Sequence, residues 1–232
     1  TTEGKNLYAD LTNALDQWER ENSRFLELSC KLDTMDIANP VVLKKNIEQF
    51  RGDLYKRKSE GWYYIQTNSG VEDPGSAAQS SFGKWVDTFS SKNEKLQTLV
   101  NDIAPLHKRF YKAVYTIHKQ VTLGRIQDAT LSYFQDMVPA AEKMFIMFEQ
   151  LRAMATKTEN LYNDMNTQAK VRCFEKQQGV LALVNKIIAY NNKQADGAVA
   201  SSMQSAHWAK INSTVGCVLG TAGSLVFGIL LT

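Results

Sequence analysis

The sequence predicts an all-α protein, an elongated antiparallel helical bundle with long coiled-coil-like helices and a C-terminal apolar helix. Only four of its 232 residues are proline, and the helix-favouring residues Lys, Glu, Gln, Leu and Ala are abundant. Apolar residues recur at alternating spacings of three and four, as on a helix face that packs against other helices. No strand pattern competes with this periodicity, so we expect no sheet.

The first two helices occupy the N-terminal third of the chain. We expect a turn near Glu21 inside the first helix and its end at Asn39-Pro40, because proline disfavours helical geometry in the preceding residue. A second helix is expected from Val41 to Thr67, followed by a loop at residues 68–75 that is dense in turn residues. The inward positions of these two helices are Leu7, Leu11, Ala14, Trp18, Phe25, Leu28, Leu32, Leu43, Ile47, Phe50 and Leu54.

A third helix is expected to carry its apolar residues in one register from Phe82 to Ile103. Pro105 then kinks or restarts the chain, and residues 122–125 form the next turn. The register of this third helix is set by Phe82, Trp85, Phe89, Leu96, Leu99 and Ile103.

The longest apolar pattern follows, and we predict that it is the bundling face of the molecule. Its spacing of four and three continues over several heptads, which is typical of coiled-coil packing. The phase shifts near residues 172–179, as in a stutter. The bundling face comprises Met137, Ala141, Met144, Phe148, Leu151, Tyr162 and Met165.

The composition changes abruptly near the C-terminus. Residues 213–232 contain no charged side chain, and twenty helical residues span about 30 Å, the thickness of a bilayer's hydrocarbon core. Trp208 and Lys210 precede this run and suit a membrane–water interface as anchors. We therefore divide the chain into a helical bundle, residues 1–210, and an apolar membrane-competent segment, residues 211–232.

Small residues recur every four positions within this segment, at Gly216, Gly220, Ser224 and Gly228. Such a stripe allows helix backbones to approach closely in lipid. The residues assigned to membrane insertion and helix packing are these four together with Leu225, Phe227 and Ile229. A buried central helix of a soluble bundle remains the alternative interpretation of the same run.

Catalysis and metal binding are not expected. The three histidines have no carboxylate or cysteine at ligand spacing, and no phosphate-binding loop or nucleophile elbow occurs. Cys30, Cys173 and Cys217 form no C-x-x-C pattern; we expect Cys30 and Cys173 to be small apolar residues on helices, with a disulfide between them left open. The net charge of +3 is too small for a dedicated nucleic-acid protein. We expect no cofactor and no nucleic-acid partner.

The order of elements resembles the cytolysin A superfamily of α-helical pore-forming toxins, which includes the haemolysin BL components. The resemblance is carried by the helix that ends at residues 187–193 and by the apolar run from Val215 to Leu231. It implies a soluble form that hides an apolar head, binds a membrane, extends its helices and assembles into a ring. Those proteins continue with a second long helix, whereas the sequence given stops at Thr232. It is therefore either a fragment, or its apolar segment is a tail.

The sequence is compatible with three functions. The first is a membrane-inserting, self-associating protein of the pore-former kind, membrane-associated and with prior secretion in soluble form left open. Its partners would be a lipid membrane and either further copies of itself or a helical partner protein. The second is a tail-anchored coiled-coil scaffold or tether, and the third is a soluble helical protein-interaction scaffold.

Overall fold

The computed structural model describes residues 2–69 and 75–230, with side chains described as far as Val215. The described residues form helices and no strand, as the sequence predicts. The described part of the chain contains seven α-helices: α1 (Thr2–Met35), α2 (Pro40–Thr67), α3 (Ser81–Val86), α4 (Glu94–Thr122), α5 (Ile126–Ser132), α6 (Val138–Thr167) and α7 (Phe174–Leu230). A 3₁₀ turn (Ala77–Gln79) precedes α3, and π-helical turns (Tyr133–Met137 and Gln168–Cys173) flank α6.

The chain divides into two compact units. One comprises residues 1–22 and 171–232, and the other comprises Ser23–Lys170. The predicted boundary at residue 210 separates a helical bundle from a membrane-competent segment, which is a different division from that into compact units. It stays a prediction. Each unit is described by itself.

The Ser23–Lys170 unit has a core built where α2, α4 and α6 pack together. The predicted inward residues of α2 are all buried, and α4 contributes Leu96, Ile103 and Phe110. An aromatic cluster joins three helices, because the ring of Phe50 lies 5.3 Å from that of Phe82 and 6.0 Å from that of Phe148. Ion pairs on the surface link α2 to α6, among them Lys44–Glu159 and Arg51–Glu149.

Helix α1 differs from its prediction at two points. It continues through Glu21 without a turn, since the polar residues there include neither glycine nor proline and allow helix. It ends at Met35 rather than at Asn39-Pro40, because Asp36 takes a left-handed φ of +50°. Asn39 instead caps the start of α2, where its side chain accepts a hydrogen bond from the Val42 N–H at 3.0 Å.

The expected third helix is two helices, so that prediction was wrong. The chain leaves helical geometry after Val86, and α4 begins beyond the N-cap residue Asn93. Asn93 accepts from the Leu96 N–H at 3.1 Å and donates to the Thr34 carbonyl at 2.9 Å. Such side-chain bonds to the backbone compete with helix.

Pro105 neither ends nor restarts α4, which contains it. Proline removes one helical N–H, so the carbonyl four residues earlier, at Asn101, loses its partner. Both residues lie on the exposed face, where water can hydrate that carbonyl.

Candidate functional site

Helices α1 and α7 pair antiparallel in the unit formed by residues 1–22 and 171–232. The Lys176 ammonium donates to Gln17 Oε1 at 2.9 Å. Tyr190, farther along α7, lines a groove of about 530 Å³ with the start of α1, at Gly4 to Thr12. Residue numbers therefore rise along one helix as they fall along the other. We call this pair the hairpin.

The facing residues of the hairpin form a seam with heptad spacing. Each helix of a pair covers only one side of the other. The side chains between them therefore stay partly exposed to water. All of its members are half-buried except Val180, which is 9% exposed. The seam consists of Gly4, Leu7, Leu11, Ala14, Trp18 and Glu21 on α1, and Cys173, Lys176, Val180, Leu183, Ile187 and Tyr190 on α7.

Between Asn191 and Val215, α7 is not covered by any described residue. Every residue from Asn191 to Val215 is exposed, so no described part of the chain packs against this stretch. Its large apolar side chains are Val199, Met203, Trp208, Ile211 and Val215. We call residues 191–215 the exposed arm.

The predicted membrane anchors lie at the end of the exposed arm. Trp208 is 56% exposed, and Lys210 is exposed beside it. The predicted insertion and packing residues come next, and their side chains lie outside the described part of the molecule; they are Gly216, Gly220, Ser224, Leu225, Phe227, Gly228 and Ile229. Where side chains are described, no helix is both long and apolar enough to cross a membrane.

The predicted bundling face is already occupied. Met137, Ala141, Met144, Phe148 and Leu151 are buried in the core that α6 forms with α2 and α4 of the same chain. The two remaining members are not buried. Tyr162 is 51% exposed and Met165 is half-buried, and both line a groove with the end of α1. In this state the face therefore bundles helices of one chain.

No family is identified. No protein-family model matches the chain, and the comparisons with curated proteins and with solved structures found no match. The likeness to the cytolysin A superfamily therefore rests on the order of elements in the sequence.

A polar cleft that the sequence did not indicate opens between α2, α3 and α4. It has a volume of about 680 Å³ and is lined by Asp53, Arg57, Ser81, Lys84 and Tyr111, among others. Two charged side chains of the cleft already have partners in the chain. Asp53 accepts a hydrogen bond from the Ser81 hydroxyl, and Arg57 forms an ion pair with Glu60 at 3.2 Å. These contacts bridge up to 28 positions, which no local pattern can reveal.

His107 lies buried beside this cleft. Its Nε2 is 2.9 Å from Ser80 Oγ, and the rings of Phe82 and Tyr111 pack on it at 4.9 and 4.8 Å. Burial lowers the pKa of His107 to about 4, because an apolar environment disfavours the charged ring. Burial likewise raises the pKa of Tyr111.

The Ser80–His107 contact favours a structural role. The Ser80 hydroxyl donates to the Ala77 carbonyl at 2.8 Å and accepts from the Gly83 N–H at 2.9 Å. The remaining lone pair of Ser80 Oγ can accept a hydrogen bond from the Nε2–H of a neutral His107 ring. No carboxylate among the described hydrogen bonds orients His107, as a base in a catalytic triad would require.

Metal ligands are not grouped in the described part of the chain. No set of three or more His, Cys, Asp or Glu side chains there could hold an ion. Cys30, expected as a small apolar residue on a helix, is exposed on α1. The hairpin and the exposed arm are therefore the candidate functional site.

Proposed function

We propose that the protein inserts into membranes and self-associates, in the manner of a pore-forming helical bundle, and that its C-terminal apolar segment is what inserts. The observation that carries this proposal is the exposed arm, which leads directly into residues 213–232, a run without any charged side chain. The exposed apolar side chains of the arm are unfavourable in water, and an uncharged apolar run is favourable in hydrocarbon.

The hairpin supports the proposal through its length. Among the described residues, α1 lies against α7 as far as Tyr190, and residues 191–215 of α7 are exposed. The large apolar side chains of the exposed arm are therefore available to a bilayer without first breaking contacts inside the core.

The end of the arm has the chemistry of a membrane interface. Trp208 offers an amphipathic ring, and Lys210 offers a cation on a long apolar stem. Once residues 213–232 are in lipid, the stripe Gly216, Gly220, Ser224 and Gly228 would let copies of the helix pack closely. The proposal therefore assigns anchoring to the arm and assembly in the bilayer to the stripe.

Dye release from liposomes tests the insertion. The full chain should cause leakage, and a chain lacking residues 213–232 should not. Leu225→Arg places a charge near the middle of the segment, at a cost of about 3 kcal/mol, and should strongly reduce leakage. Ile146→Arg makes the same kind of change at an exposed apolar side chain of α6, outside the hairpin and the exposed arm, and should leave leakage unchanged. Equal leakage by the full and shortened chains would overturn the proposal.

A tail-anchored tether would use the same segment differently. It would hold the chain permanently in a membrane, so the protein would need detergent during purification and would not release dye. A soluble scaffold would need no detergent and would ignore liposomes. Either result would remove the pore-former proposal.

A further inference from the structure

The hairpin carries a second apolar stripe that its own seam does not use. On α7, Phe174, Leu181 and Ile188 recur every seven residues, and on α1, Tyr8 and Leu15 do the same. All five are exposed, from 41% for Leu15 to 68% for Tyr8. Isolated exposed apolar residues are ordinary, but a heptad series on both helices of one pair indicates a packing surface.

These two series lie on the same flank of the hairpin. Each member directly follows a seam residue: Tyr8 follows Leu7, Leu181 follows Val180, and Ile188 follows Ile187. One residue along a helix is a rotation of about 100° in a fixed sense. Because the helices run in opposite directions, equal rotations lead to the same side of the pair. We call this side the open flank.

We take the Gln17–Lys176 hydrogen bond as the reference level from which positions along the open flank are counted. Thr12 lies five residues before Gln17, and Leu181 lies five residues after Lys176. Because the two helices are antiparallel, Thr12 and Leu181 lie at the same level. By the same count, Ile188 stands level with Lys5 and Phe174 stands level with Glu19.

The charges of the open flank are self-complementary. On α1, Lys5, Thr12 and Glu19 are exposed and spaced by seven, with a cation at one end, a neutral residue in the middle and an anion at the other. Consider a two-fold axis that crosses the helices at the level of Thr12 and Leu181, in the plane between two open flanks. It would place Lys5 of each copy against Glu19 of the other. The same axis sets Phe174 against Ile188 and Tyr8 near Leu15.

The α7 side of the open flank adds no charge that would oppose this pairing. The residues that border its apolar series are amides, at Gln177, Gln178, Asn185, Asn191 and Asn192. Two identical flanks can therefore meet without placing like charges together, which an isologous interface requires.

We propose that two copies of this chain associate through the open flank, as an isologous antiparallel pair of hairpins that forms a four-helix bundle centred on Thr12 and Leu181. This deepens the self-association in the proposed function and rests on that half of it, not on membrane insertion. The occupant is a second copy because the opposite charges and the apolar series are both symmetric about one level of the hairpin.

Sedimentation equilibrium of the full chain at low salt tests the pairing. The wild type should form a dimer. Leu181→Glu brings two carboxylates together at the axis and should weaken dimerisation by at least about 100-fold. Ala182→Glu is the matched control, because this exposed neighbour is turned a further 100° or so from the flank, and its dimer should be unchanged. Circular dichroism verifies that both variants keep their helices.

A charge exchange tests the two-fold arrangement. Lys5→Glu and Glu19→Lys should each weaken dimerisation by about tenfold, since each creates two like-charged pairs. An equimolar mixture of the two variants should recover wild-type affinity, because every pair in the mixed dimer is again opposite. A mixture no tighter than its components, or a monomeric wild type, would overturn the proposal.

Membrane insertion and dimerisation through the open flank can be tested independently of each other. A chain without residues 213–232 should still dimerise through the open flank. If it does, while full and shortened chains release equal dye, only insertion is refuted. If the shortened chain is monomeric although the full chain dimerises, the interface lies in the C-terminal segment and the open flank is refuted.

Discussion

The buried histidine of α4 should make the protein lose stability under mild acid. His107 is 3% exposed, and burial lowers its pKa from the ordinary value of 6.5 to about 4. Its depressed pKa means that the unfolded chain takes up a proton before the folded chain does. The stabilising contribution is therefore complete above pH 6.5 and is lost as the pH falls toward 4.

The size of the effect follows from these two pKa values. At pH 5 the unfolded imidazole is almost fully protonated and the folded one is mostly neutral. The free energy of unfolding should then be lower by about 2 kcal/mol than at pH 8. At pH 4 the loss should reach about 3 kcal/mol.

Urea denaturation at pH 8 and pH 5, followed by tryptophan fluorescence, measures this difference. His107→Gln cannot titrate, so its unfolding free energy should change by about 2 kcal/mol less than that of the wild type over the same interval. Ser80→Ala should lower stability at both pH values but keep the pH dependence, because burial rather than the Ser80 contact is the cause of the shift. An equal pH dependence in His107→Gln and wild type would refute the argument.

Two further predictions concern the Ser23–Lys170 unit, and both are read from urea denaturation. Gly83→Ala should destabilise it by about 1–3 kcal/mol, because the added Cβ would lie 2.0 Å from the Ala77 carbonyl oxygen. Gly52→Ala, whose Cβ would meet nothing within 4 Å, should instead stabilise helix α2 by about 0.5–1 kcal/mol. If both substitutions destabilise the protein, the packing described around these two glycines is contradicted. Phe148→Ala removes a fully buried ring and should cost about 3–5 kcal/mol, whereas Ile146→Ala, at a side chain 62% exposed, should cost less than about 0.5 kcal/mol.

The sequence predicted best where a helix presents one apolar face to one core. Helix α2 is an example, because the predicted inward residues Leu43, Ile47, Phe50 and Leu54 are all buried. It failed between Val86 and Asn93, where contacts with distant residues decide the backbone. The Ser91 hydroxyl donates to the Asp36 carboxylate at 2.7 Å, across 55 positions, and no local periodicity contains that information.

The candidate site was predictable only in part. Periodicity identifies the seam of α1, but it cannot reveal that the partner is α7, since Gln17 and Lys176 are 159 positions apart. The open flank escaped prediction because it contributes only one apolar residue per heptad, at Tyr8 and Leu15, beside a much stronger stripe. The uncharged run at residues 213–232 is evident from composition, and its insertion stays a prediction.

The half-open seam gives the chain two unequal stabilities. Between Ser23 and Lys170, side chains such as Ile47, Phe110 and Phe148 have no exposure at all, whereas the least exposed of the hairpin's described side chains, Val180, is 9% exposed. Opening the hairpin exposes little surface that water does not already reach, so the free energy of that local opening is small compared with global unfolding. We therefore expect α7 to separate from α1 more readily than the aromatic core unfolds.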